Sequence, residues 1–386
     1  MTAPQTHARH ATMDSLIQIL RTNHARKLDI VARPSAIYAQ DGLIVVRGAD
    51  GEITDSGVTP VDVRLLPTLV ADDGLSTRLD IPKGYLARCR ARNTELYDQN
   101  VNGWLAHPDF ASKKYLVRAF RPGDDGVGVA RAFLSDSYKP IDDLDVLMTV
   151  LEGVAEAGVK IDIAGCDLTD RNMYVRIVCE QVAINAFDLV KNYRSPFSGQ
   201  TGADLPMAFA GFEIRNSEVG HGKFSIAPRI VLQVCSNGMT RRVDAFEAQH
   251  LGQKLDEGVI RWSDETQAAN LNLITKKTAD AVRTFLSPEY VQQFVDSMLE
   301  DAKVQVDKPE EVVRTVTTAL RFDEARQDAI LRMFIKGGDL TSGGVGHAVT
   351  AAAQEEKDGD LASDMEAVGL RAMALAARAA QGLSVR

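Results

Sequence analysis

Nowhere in the 386 residues do 18 apolar residues run together, so no segment is long and apolar enough to read as a membrane-spanning helix. Cysteine is scarce as well. Cys89, Cys166, Cys179 and Cys235 lie far apart, with no C-x-x-C and no histidine at metal-ligand spacing. That pattern argues against a zinc site or a disulfide framework, and it predicts buried free thiols in a reducing compartment. There is no G-x-S-x-G nucleophile elbow and no G-x-x-x-x-G-K-[ST] loop, which argues against an α/β-hydrolase and a P-loop ATPase. No motif calls for a cofactor or a metal, and none is expected. The polar N-terminus, with only a short apolar run, does not read as a signal peptide, so a cytoplasmic protein is expected. Excess positive charge is lacking too: the net charge is −9, which argues against coating nucleic acid with the whole surface.

What is present is an ordinary globular composition, 45% apolar and 25% charged. The length has room for one large domain or two ordinary ones. Residues 1–12 read as a disordered arm, and Met13 to Leu28 as a short helix capped by Thr12 or Asp14. Ile37-Tyr38 and Leu43 to Val46 read as a hairpin around Asp41-Gly42. Asp50-Gly51 reads as a second turn, and Val61 to Leu69, with its prolines, as a loop and short strand. Pro82 to Asn102 patterns as one amphipathic helix. Tyr115 to Phe120 alternates as a half-buried strand whose antiparallel partner is Val127 to Leu134. A helix from Asp142 to Ala157 follows, capped by Asp142 or Asp143. Further strand pairs are expected at Val159 to Cys166 with Met173 to Cys179, and at Met207 to Ile214 with Ile226 to Cys235. Asn237-Gly238 then turns the chain toward a helical remainder, with a break at Lys357 to Asp360. The expected fold class is α+β: an antiparallel-rich sheet core with packed helices, followed by a mostly helical C-terminal region. The divisions are residues 1–30, an arm and short helix; 31–245, the α+β core; and 246–386, the helical region.

Charge is not spread evenly. Residues 83–121 hold eight Lys/Arg against three acids, a local +5 that leaves the remainder at −14. The cations are Lys83, Arg88, Arg90, Arg92, Lys113, Lys114, Arg118 and Arg121. Among them stand six of the 23 aromatics, including Tyr85, Tyr97, Trp104 and Tyr115. Cations interleaved with stackable rings are what a groove for single-stranded nucleic acid needs, since phosphates require charge and unstacked bases require a π-face. The competing reading is a solvated helix face whose rings point into the core. Lys223, Arg241 and Arg242 would extend the basic path if the 211–242 stretch packs beside the 115–134 hairpin.

Glu218 and His221 form a close grouping of a carboxylate with a histidine. With an Asp from 162 to 170 they would make a general acid/base site, although two glycines flanking a histidine more often mark a turn. Asp162, Asp167 and Asp170 could bind a metal, but Asp in turns and at helix starts is also what capping produces. The glycine-rich run from Gly337 to Gly346 lies between helices with no strand before it, so it reads as a linker rather than a phosphate cradle.

Four short, co-linear stretches resemble a phage/plasmid-like protein family known as domain of unknown function 932. They are Ala130-Arg-Ala-Phe-Leu-Ser-Asp-Ser-Tyr-Lys-Pro-Ile-Asp142, Asn216-Ser-Glu-Val-Gly-His-Gly222, Val234-Cys-Ser-Asn-Gly-Met239 and His347-Ala-Val-Thr350. The resemblance implies a phage, prophage or plasmid product in a bacterial host cell and carries no activity onto particular residues. Joined to the basic aromatic segment, it leads to the expectation of a non-enzymatic single-stranded DNA-binding or annealing protein in recombination or replication, acting as a homo-oligomer. The alternatives are an oligomeric interaction or anti-defence protein, and a hydrolase of mobile DNA using Glu218 and His221.

Overall fold

The structure, a computed structural model, describes residues 4–54, 57–138, 140–234, 238–248 and 264–385. It is α+β, with strands in the N-terminal part and helices in the C-terminal part. In chain order the first elements are β1 (Ala8–Ala11), α1 (Met13–Ala25), β2 (Lys27–Ala32), β3 (Ile37–Gln40), β4 (Leu43–Thr54) and β5 (Gly57–Pro67). Helices α2 (Leu69–Leu79), α3 (Lys83–Arg92) and α4 (Thr94–Leu105) follow, then β6 (Tyr115–Phe120), β7 (Gly128–Ser135) and α5 (Asp143–Ala157). Next come β8 (Asp162–Leu168), β9 (Met173–Asn185), the short α6 (Phe187–Val190), β10 (Met207–Asn216), β11 (Phe224–Leu232), β12 (Gly238–Thr240) and β13 (Phe246–Ala248). The chain closes with α7 (Asp264–Phe285), α8 (Pro288–Ala302), α9 (Pro309–Ala319), α10 (Glu324–Gly337), α11 (Ser342–Glu355) and α12 (Gly359–Ala380).

Among the described residues the strands form two sheets. One runs β2-β6-β7-β5-β4-β3, and the other β1-β8-β9-β10-β11-β12 with β13 also on β11. Every pairing is antiparallel except β5 with β7. The β3–β4 hairpin closes on Asp41-Gly42, both at positive φ (55° and 75°), as the twist of a two-residue hairpin demands.

Several expectations are corrected. Residues 8–11 are not a free arm: they pair with β8, Ala8 opposite Leu168. Asp50-Gly51 does not turn the chain, because β4 runs through it and pairs Asp50 with Val61 and Gly51 with Pro60. The pairing continues as far as Thr54 opposite Gly57, residues 55–56 lie outside the described residues, and Val61 to Pro67 is strand throughout. The helix expected over 82–102 is two. Asn93 ends α3 and starts α4, its side chain accepting from Leu96 N–H at 3.0 Å, the capping role Asn favours. Cys235, Asn237 and His250 lie outside the described residues. Cys89, Cys166 and Cys179 are buried and unbonded.

Alternation along the strands sorts side chains between layers. In the β2–β7 sheet, Tyr115, Val117 and Ala119 join Leu75 of α2, Leu86 of α3, and Tyr97 and Val101 of α4 in one core. Leu116, Ala132 and Leu134 point the other way and meet Val219 from the β10–β11 turn. In the second sheet, Val175, Ile177, Phe212 and Ile214 pack with Val146 and Val150 of α5, Ile274 and Val282 of α7, and Phe294 of α8. The opposite face presents Arg176, Glu213 and Arg229 to α12. A third core joins α9 to α12. Among the described residues no helix is long and apolar enough to cross a membrane.

Candidate nucleic-acid interface

Helix α4 turns Tyr97, Val101 and Leu105, four residues apart, into the core. Its position is held by polar clasps to the edge hairpin. Asn102 donates to Ala39 C=O at 2.9 Å and accepts from Ala39 N–H at 2.7 Å, and Asp98 accepts from Gly42 N–H at 3.1 Å. The outward face therefore carries Gln99, Asn100, Gly103 and Trp104, and with His107 these line an open groove. Trp104 is 40% exposed. Its indole lies 5.6 Å from the His107 ring and edge-on to Phe110 at 6.2 Å. The Lys113 ammonium sits over the Phe110 ring at 4.2 Å, a cation–π contact.

Helix α3 flanks the groove. Tyr85, Arg88 and Arg92 fall at i, i+3 and i+7, one stripe of a helix, and all three are exposed. Asn100 reaches the Tyr85 hydroxyl at 3.4 Å, which ties the α3 stripe to the α4 groove. Exposed rings and cations thus stand on adjoining elements: Tyr85, Arg88 and Arg92 on α3, Trp104 and His107 at the end of α4, and Lys113 beyond Phe110.

Other residues of the expected path are not on it. Arg118 is 0% exposed. It grips Asp29 with two bonds (2.9 and 3.1 Å), Asp142 at 2.6 Å and the Glu218 carbonyl at 2.9 Å. The strand expected to be half-buried is covered on both faces, and Arg118 lies on the side that meets the other sheet. Tyr115 is buried beside Phe133, and neither it nor Tyr97 offers a ring to a base. Tyr97 donates to Asp72 at 2.9 Å, and Arg90 pairs with the same carboxylate at 2.5 Å. Burial and the Asp72 charge push the Tyr97 phenol well up, while burial outweighs Arg90 and raises Asp72. Lys83 pairs with Asp73 at 3.5 Å. Lys114 is half-buried, and Arg121 is exposed at the end of β6.

The 211–242 stretch does touch the 115–134 hairpin, but through Val219 and Glu218 rather than through a basic path. Lys223 pairs with Glu247 at 2.9 Å. Arg241 lies over Phe294 at 4.2 Å and near Asp244 at 3.6 Å. Arg242 bonds Asp364 and Ser363 of α12 at 2.8 and 2.7 Å. Each of these cations is engaged by its own neighbourhood.

Glu218 and His221 are not brought together. The Glu218 carboxylate caps α5, accepting from Asp143 N–H at 2.7 Å, and pairs with Arg131 at 2.5 Å. His221 contributes its backbone N–H to the Ser217 hydroxyl, and burial followed by the Arg171 charge lowers its pKa. Asp167 is bound by Arg9, Arg176 and His10 N–H. Among the described residues, no group of three or more His, Cys, Asp and Glu is placed to hold a metal. The 337–346 run is filled: a Cβ on Gly344 would stand 1.9 Å from the Asp339 carbonyl oxygen.

At the junction between the sheets, three neighbouring carboxyls are driven apart. Burial works against ionisation at Asp142, but Arg118 and Lys27 outweigh it and hold its pKa down at about 2. Burial likewise opposes the Glu218 charge, and Arg131 with Arg118 overcomes it. Asp143 is raised well above the carboxylate range by burial and then by the Glu218 charge. These groups line a cavity of about 20 Å³ with His24, Lys27 and Thr169, room for about one water. That volume fits a clamp between sheets better than a substrate site.

Sequence reasoning missed Gln99, Asn100, Gly103 and His107 because none is charged or strongly aromatic. Their i, i+1, i+4 and i+8 spacing, with Trp104 at i+5, was the available signal. No protein-family model, curated protein or solved structure matches the chain. The likeness to phage/plasmid-type proteins rests on the short sequence stretches alone.

Proposed function

We propose that this is a phage-, prophage- or plasmid-type protein that binds single-stranded DNA through the α3–α4 face, without catalysis, in recombination or replication. The observation that supports it is the set of exposed rings Tyr85, Trp104 and His107 on adjoining elements with exposed Arg88, Arg92 and Lys113. Exposed rings provide sequence-tolerant stacking worth about 1–3 kcal/mol per base, and the cations neutralise phosphates. The phosphate set is narrower than composition implied, because Arg90 and Arg118 are held by buried carboxylates.

Fluorescence anisotropy with a labelled single-stranded oligonucleotide at low salt tests the reading. Binding is expected to weaken on adding salt, and Trp104→Ala is expected to lower affinity about tenfold, within the range for losing a stacking ring. Absence of binding at low salt would end this proposal.

A further inference from the structure

Gly103 stands near the end of α4, where glycine is the least favourable helix residue after proline. Neither usual reason for a glycine applies. Its φ is not positive, and a Cβ built on it meets no atom within 4 Å. What its missing side chain leaves open is the floor of the groove between Gln99, Asn100, Trp104 and His107.

The groove's walls define what fits. The 5.6 Å between the Trp104 and His107 centroids is less than the roughly 7 Å that a ring sandwiched between two others requires at van der Waals contact. A ligand ring must therefore lie over Gly103 against Trp104 rather than enter between the two rings. One turn earlier, Asn100 spends its amide N–H on Leu96 C=O at 2.7 Å and on Tyr85, and Gln99 donates to Glu95 at 3.2 Å. That leaves two acceptors with no partner among the described residues, Asn100 Oδ1 and Gln99 Oε1, against one remaining donor, the second amide N–H of Gln99. Two acceptors beside an aromatic face suit a planar ring with an exocyclic amino group. Exposed Arg88 and Arg92 on α3, joined to the groove through the Tyr85–Asn100 contact, and Lys113 over Phe110 supply positive charge for the flanking phosphates.

We infer that the groove over Gly103 is a single-base site that prefers an amino-bearing nucleobase, such as cytosine, over one presenting a carbonyl at the same position. This rests on the nucleic-acid reading above and goes beyond it, since stacking and phosphate contacts alone would not discriminate between bases.

The test compares three single strands of about fifteen nucleotides, a length on the scale of one single-strand site. They are oligo-deoxycytidine, oligo-deoxyuridine and an abasic deoxyribose-phosphate strand, titrated at pH 8 while following Trp104 fluorescence in a Trp262→Phe background and, in parallel, anisotropy. Cytosine is expected to bind about tenfold tighter than the abasic strand, with uracil between them. Gly103→Gln, which fills the groove and favours the helix, is expected to melt no lower than wild type and to bind cytosine no better than the abasic strand. Equal affinity of wild type for cytosine and abasic strands overturns the base site while leaving phosphate binding in place. Equal affinity for cytosine and uracil overturns the amino preference. No binding to any strand overturns the nucleic-acid reading, and the base site with it.

Discussion

Arg118 shows how far a side chain's neighbours decide its role. As a residue of a basic segment it looks like a phosphate contact; in the fold it is a buried guanidinium satisfied by Asp29, Asp142 and a carbonyl. Removing it leaves carboxylates uncompensated inside the protein. Arg118→Met is expected to cost about 3–5 kcal/mol of stability, read by urea denaturation, whereas a phosphate-contacting arginine would lose affinity with stability intact. Buried carboxylates held by arginine set an acid limit. Asp142 and Asp167, each held at about 2 against an ordinary value of 3.8, are depressed carboxylates. Their stabilisation is complete above the unfolded value and is lost as pH falls from about 4 through about 2. Asp143 acts in the opposite sense: its raised pKa favours the fold in acid and is a liability as pH rises. Asp142→Asn should flatten the fall in melting temperature between pH 4 and 2, while Asp143→Asn should leave that limb unchanged.

Among the elements, the hairpin pairs β3–β4, β6–β7, β8–β9 and β10–β11 and most helices were readable from their period, whereas β1, β2, β12, β13 and α2 were not. The pair at 115–120 and 128–135, the α5 span and the break between α11 and α12 all follow from alternation, apolar stripes and capping residues. The cap of α5 was not readable. Asp142 stands at the N-cap position without bonding the helix, and Glu218, 75 residues away, supplies the bond instead. Nor was the attachment of α12. Arg176 of β9 and Arg229 of β11, the two strands that flank β10, both bind Glu366 of α12, and Glu213 of β10 accepts from Ser363. Glu366→Ala would strand two buried guanidinium groups. A loss of about 3–5 kcal/mol is expected, with Glu366→Gln costing less because it keeps hydrogen-bond acceptance. Paired denaturation curves decide between a clamp and a dispensable contact.

For the molecule as a whole, a net charge of −9 confines any nucleic-acid binding to a local face and limits its electrostatic share. With Arg88, Arg92 and Lys113 as the phosphate contacts, the slope of log affinity against log salt is expected to be about −2. Arg88→Ala with Arg92→Ala should reduce that slope by roughly two-thirds. A much steeper slope would mean that phosphates are contacted elsewhere. The proposed annealing role calls for several copies acting together, so light scattering on a size-exclusion column should return a mass above that of the 42.0 kDa chain; a strict monomer would count against annealing.

By itself, the sequence determined the α+β class, the hairpin at Asp41-Gly42 and the helical C-terminal part, because period and turn chemistry are local properties. It also located the segment whose outward face carries the proposed function. Only the tertiary structure decided which cations of that segment meet solvent. Burial depends on what packs against each face: two covered faces at β6 removed Arg118 and Tyr115, and Asp72 claimed Arg90 and Tyr97. What remained open was the turn-to-turn surface of α3 and α4, where a glycine with no packing reason to be there marks a groove between rings and charges.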